Sequence, residues 1–61
     1  MRSYMRVWHV DGDGKCEHYY MEQQPLWWVW RLLADGARLI ATDGEHFYLE
    51  WMGTEVFIAP R

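Results

Sequence analysis

The sequence predicts a mostly β domain: a small antiparallel meander, or a curled barrel, of about five to six short strands. Three observations lead there. Short runs rich in Val, Ile, Tyr, Phe and Trp recur along the chain, the residue types that favour pleated, half-buried surfaces. Turn pairs separate them, notably Asp35-Gly36 and Asp43-Gly44. The whole has only 61 residues, which limits it to one domain, residues 1–61. The alternative is α+β, with a short helix at 26–34 packed on an antiparallel sheet.

Residues 4–10 (YMRVWHV) alternate loosely and read as the first strand. Asp11-Gly12-Asp13-Gly14 reads as a turn, and residues 15–21 (KCEHYYM) as the returning strand. Residues 22–25 are polar, end in Pro25 and form a connection. Residues 26–34 (LWWVWRLLA) carry conflicting signals. Pro25 near the first position and Gly36 just past the end suit a helix. Three Trp and a Val before an Asp-Gly pair suit a strand entering a type I′ hairpin. Only Arg31 is polar, so periodicity does not arbitrate, and aromatic enrichment with short length favours strand. Strands at 37–42 and 45–51 follow, then a Gly53-Thr54 turn and an edge strand at 55–59 before Pro60.

Register exposes a tension. A two-residue loop at Asp35-Gly36 pairs Leu32 with Leu39 and Trp30 with Ala41, making one face apolar. A two-residue loop at Asp43-Gly44 pairs Ile40 with Phe47 and Arg38 with Leu49, making the opposite face apolar as well. A curled barrel, a dimer, or a helix at 26–34 lying on Ile40, Phe47, Leu49 and Trp51 would each resolve it.

Within residues 30–43 (WRLLADGARLIATD), Trp30, Arg31, Leu32, Ala34, Leu39, Ile40, Ala41 and Thr42 match a pattern of aromatic, Arg-Leu, Ala, turn and Ile-Ala-Thr. This segment resembles the core of the YegP-like family of small domains of unknown function. The resemblance covers about a quarter of the chain. It implies two adjacent antiparallel strands, and it implies no catalytic residues.

The net charge is −3, and the six Lys and Arg are scattered at 2, 6, 15, 31, 38 and 61. A grip on nucleic acid needs several cations facing phosphates, so this balance argues against it. A single cysteine, Cys16, excludes an internal disulfide and fits a reducing compartment. The N-terminus lacks the long apolar segment of a signal peptide. The longest apolar run, residues 26–30, is far short of a membrane span. The expected location is the cytoplasm.

Closure of the first hairpin at Asp11–Gly14 pairs His9 with Cys16 and Val7 with His18. His9, Cys16 and His18 then share a face where imidazole and thiolate converge on one Zn²⁺, with His46 as a candidate fourth ligand. The spacing matches no standard zinc framework. Asp11, Asp13 and Glu22 occupy three calcium-loop positions, but Lys15 and Cys16 stand where a ligand and a glycine belong. A Cys16–His pair oriented by Glu17 or Asp13 is a nucleophile in outline only, since a domain this small has little room for a water-excluding cleft. No enzyme activity is expected, and no cofactor beyond that candidate Zn.

Five Trp, four Tyr and two Phe are more aromatic surface than so short a chain shelters alone. The expected function is a non-catalytic protein-binding module, of the accessory or inhibitory kind that phages and mobile elements encode. Its partner is another protein or its own copy in a homodimer. Trp27, Trp51 and Phe57 are the expected contacts, with Arg31 and Arg38 on the rim. The competing expectations are the Zn domain and an aromatic platform for sugar or single-stranded nucleic acid.

Overall fold

The computed structural model describes residues 2–10, 12 and 14–61. They form β1 (Ser3–His9), β2 (Cys16–Met21), α1 (Pro25–Ala34), β3 (Arg38–Thr42), β4 (Phe47–Trp51) and β5 (Thr54–Pro60). The strands make one antiparallel sheet in the order β2-β1-β5-β4-β3. The sheet does not close into a barrel: β2 and β3 are its edges, and α1 covers one face. The last strand is therefore central, not the edge strand that its position before Pro60 suggests.

Residues 26–34 are helical, which overturns the strand expectation and bears out the α+β alternative. The deciding chemistry lies at the two ends. Pro25 opens the helix, where its missing N–H costs nothing. At the other end Asp35 has φ −95° and Gly36 φ +94°. A type I′ hairpin needs positive φ at both central residues, so this Asp-Gly pair is no hairpin turn. It is a helix stop: the Ala37 N–H donates to the Leu32 carbonyl at 2.9 Å and the Gly36 N–H to Leu33 at 3.1 Å. That double bond pattern is the Schellman motif, and Leu32 and Ala37 pack together against the core beside it.

The helix buries Val29 and partly buries Trp28 and Leu32 against Met5, Phe47, Leu49, Val56 and Ile58. These positions alternate along β1, β4 and β5, as a sheet with one covered face requires. The helix thus lies on Phe47, Leu49 and Trp51, as its alternative placement anticipated. Ile40 is the exception. The β3–β4 register shifts between Leu39 and Ala41, and Ile40 is left exposed at that bulge. Ser3 is fully buried on the covered face, and its Oγ has no hydrogen-bond partner.

Three hairpin registers differ from expectation. In β1–β2, Trp8 pairs with Cys16, Val7 with Glu17 and Arg6 with His18. The connection is thus seven residues long, with the His9 N–H donating to the Lys15 carbonyl at 3.2 Å. An odd connection shifts the pairing by one and changes which residues share a face. Asp11 and Asp13, assigned to this turn and to the calcium pattern, lie outside the described residues. In β3–β4, Thr42 pairs with Phe47 across a four-residue loop, 43–46. The Asp43 carboxylate takes the backbone N–H groups of Glu45 at 2.9 Å and His46 at 2.8 Å, and Thr42 Oγ1 takes that of Gly44 at 2.9 Å. Those side-chain acceptors stabilise the wider loop over a two-residue turn. The β4–β5 hairpin turns at Met52-Gly53, with φ of 49° and 72°, and pairs Trp51 with Thr54.

Candidate functional site

The shifted β1–β2 register separates the proposed zinc ligands. His9 lies on the helix side of the sheet, where its Nε2 meets Glu17 Oε1 at 2.5 Å. Cys16 and His18 lie on the opposite face, where His18 Nδ1 meets the Tyr4 hydroxyl at 2.6 Å. His46 sits in the β3–β4 loop beside Asp43, with Nδ1 to Oδ2 at 3.0 Å. Among the described residues, no three His, Cys, Asp or Glu side chains gather where they could hold a metal ion. On the helix side Glu17 is also bonded by the Tyr19 hydroxyl, at 2.7 Å. Those two bonds, Tyr19 first and His9 second, lower the Glu17 pKa, while the same carboxylate raises that of Tyr19.

The expected partner contacts divide between two surfaces. Trp27 and Arg31 are on the helix, with the Arg31 guanidinium 5.2 Å from the Trp27 ring centre. Trp51 is half-buried at the end of β4, packed against the core, and its indole N–H donates to Asp35 at 3.2 Å. Phe57 and Arg38 belong to the uncovered face of the sheet, where Arg38 pairs with Glu50 at 3.2 Å.

On the helix side, the outer surface of α1 is apolar. Leu26, Trp30 and Leu33 follow one another at i, i+4 and i+7, so they form a stripe along one flank. Leu26 lines a crevice with Gly44, Glu45 and Phe47, which places that flank beside the β3 end of the sheet. Leu39 and Ile40 on edge strand β3 are exposed as well. Trp30 is the most open of the large apolar helix residues, at 65%. Sequence reasoning chose Trp27 over Trp30 as a partner contact, because the strand expectation gave no helical stripe on which to place Trp30.

The uncovered face differs in composition. β1 contributes Tyr4, Arg6 and Trp8; β2 Cys16, His18 and Tyr20; β5 Glu55, Phe57 and Ala59; β4 Tyr48 and Glu50. These four strands place no Leu, Ile, Val or Met there. The rings adjoin one another: Tyr4 is 5.3 Å from Tyr20 and 6.5 Å from Phe57 between centroids, and His46 stacks on Phe57 at 6.0 Å. Arg6 lies 5.0 Å from the Phe57 ring centre, and Arg61 lies 4.9 Å from that of Tyr20. A shallow depression of about 380 Å³ lies among Arg6, Trp8, Cys16, Tyr48, Glu55 and Phe57. The Tyr48 hydroxyl donates to Glu55 within it, and that bond raises the Tyr48 pKa.

This is an open two-layer domain, one helix on a five-stranded antiparallel sheet, with two distinct exposed surfaces. Comparison with protein-family models, curated proteins and solved structures gives no match. Among the described residues, no helix is long and apolar enough to cross a membrane.

Proposed function

We propose that the protein is a small non-catalytic binding module that docks another polypeptide, its own copy or a different protein, on the outer flank of α1 and the adjoining β3 edge. The observation that carries this reading is the Leu26–Trp30–Leu33 stripe, turned away from the core on a helix whose other side is already packed. Contiguous exposed apolar residues of this kind mark interaction surfaces. Trp is among the residues that dominate binding energy, and Arg31 beside Trp27 supplies a polar rim. The bulge at Ile40 interrupts the β3 edge, so side chains carry the contact more than added strand pairing does. A module of this kind acts by occupying its partner's surface, which suits an accessory or inhibitory role.

Light scattering of the purified chain, with capture of partners after crosslinking, tests the reading. The expected result is a dimer or a captured complex that Trp30→Asp weakens by tenfold or more, about 1.4 kcal/mol, with an unchanged melting temperature. A chain that stays monomeric at high concentration and captures nothing overturns it.

A further inference from the structure

We propose that a second copy of this chain pairs with β2, edge to edge and antiparallel, in a two-fold dimer centred on His18. The site lies at the opposite end of the sheet from the α1 flank and the β3 edge, and it uses none of their residues.

Ladder parity determines which backbone groups of β2 face outward. The His9 N–H donates to the Lys15 carbonyl, and these two residues form the pair that follows Trp8–Cys16 in the register. Hydrogen-bonded and non-bonded pairs alternate along an antiparallel ladder. Val7–Glu17, Met5–Tyr19 and Ser3–Met21 are therefore the bonded pairs of this hairpin. The other side of β1 gives the same parity, because the Arg61 N–H donates to the Arg2 carbonyl, so the even-numbered residues of β1 bond to β5. Cys16, His18 and Tyr20 are left aiming their N–H and C=O groups away from β1. β2 is a terminal strand, and among the described residues nothing pairs with that side.

Edge strands are ordinarily blunted by a bulge, a proline, a lysine or a covering segment. β3 carries a bulge and Arg38. β2 carries no such device. Its register with β1 is unbroken, and Cys16–Met21 contains no Pro, Lys or Arg. Its one carboxylate, Glu17, is already held by Tyr19 and His9. The helix does not overhang this edge, since Tyr19 on the helix side of β2 is 43% exposed.

The strand complements itself. A two-fold axis normal to the sheet keeps the helix side of one copy beside that of the other. Centring that axis on His18 joins every outward-facing residue of the strand: His18 meets its own counterpart, and Cys16 meets Tyr20 on both sides of it, with two backbone bonds at each pair. On the helix side, the same register sets the Glu17 carboxylate against the copy's Tyr19 phenol at a non-bonded pair, where side chains come closest. Sliding the copy by two residues one way sets Glu17 against Glu17, a repulsive pair. Sliding it the other way carries Cys16 past the end of the strand. The pairing also closes. The joined sheet ends in two β3 strands, each interrupted by its bulge, so no further copy adds.

Sedimentation equilibrium over a micromolar-to-millimolar concentration series tests the proposal, and the expected mass is that of two chains. His18 is exposed and its N–H lies outside the β1 ladder, so His18→Lys and His18→Glu should keep the fold, as circular dichroism melts verify. Either variant alone sets like charges together at the axis and should weaken the dimer by tenfold or more. Mixing the two in equal amounts should restore it, because lysine then faces glutamate. Trp30→Asp should leave the dimer in place, which separates this edge from the α1 flank. A second readout needs no variant: amide exchange at Cys16, His18 and Tyr20 should slow as the concentration of the unaltered chain is raised. A chain monomeric throughout overturns the proposal. So does exchange at those three amides that ignores concentration, a dimer indifferent to both His18 variants, a mixture that stays monomeric, or a dimer that Trp30→Asp dissociates. A foreign strand captured on this edge by a chain that does not self-associate overturns it too.

Discussion

Asp43 does more for its loop than an exposed aspartate usually does. Its carboxylate accepts two backbone N–H groups and meets the His46 ring. The His46 and Glu45 backbone bonds, then the His46 side chain, pull its pKa from 3.8 to about 2. A pKa depressed in the folded state contributes stability above the unfolded value and loses it as pH falls through the folded one. Asp43→Ala should therefore lower the melting temperature at pH 7, and the gap from the parent should narrow towards pH 2. Circular dichroism melts at both values decide it; an equal gap at both would remove the carboxylate from the explanation. The sequence revealed that Asp43-Gly44 makes a turn but not which turn. Loop width depends on whether nearby N–H groups find a side-chain acceptor, and a residue pair alone does not carry that.

Elements were legible where a terminal signal and a face pattern agreed. The Pro25 and Gly36 bracket is a helix signature, yet the Trp content of 27–30 pointed to a strand. Aromatics favour strands because they pack on pleated surfaces, but a helix that must cover a sheet needs the same bulk. Tertiary demand won. The zinc trio failed for a different reason. One residue more or less in the β1–β2 connection reverses the facing of His9, and the sequence does not fix that length. The β4–β5 hairpin was placed one residue late, because Met52 is not a turn former. Met52 holds φ 49° while 79% exposed, so nothing packs its side chain to compensate a left-handed backbone. Asn is favoured before Gly in this turn type. Met52→Asn should stabilise the protein by roughly 1 kcal/mol, read as a higher urea midpoint with unchanged slope. A lower midpoint would show that Met52 makes a contribution its exposure hides.

At the scale of the whole molecule, composition informed about bulk, and strand order arranged the charge. Arg2, Arg6, Arg38 and Arg61, scattered along the sequence, share the uncovered face with the four carboxylates of Glu22, Asp43, Glu50 and Glu55. The aromatic excess was read correctly as more than one core can hold: Trp8, Trp27 and Trp30 are all exposed. Shelter is scarce because the core is a single layer between one helix and one sheet, centred on Leu49, Val56 and Ile58. A domain of this length is expected to be stable by about 3–9 kcal/mol, and truncating a buried Leu to Ala costs about 2–5 kcal/mol. Leu49 is 0% exposed in the second-to-last strand of the sheet, beneath the helix, with no second core to share the loss. Leu49→Ala should therefore remove a large part of the folding free energy and leave much of the protein unfolded at 37 °C. Tyr20→Ala, on the uncovered face, should stay folded. Urea titrations of the two variants side by side make the comparison. A Leu49→Ala loss below about 1 kcal/mol, well under the range for buried Leu truncations, would mean that the helix–sheet layer is not what holds this chain together.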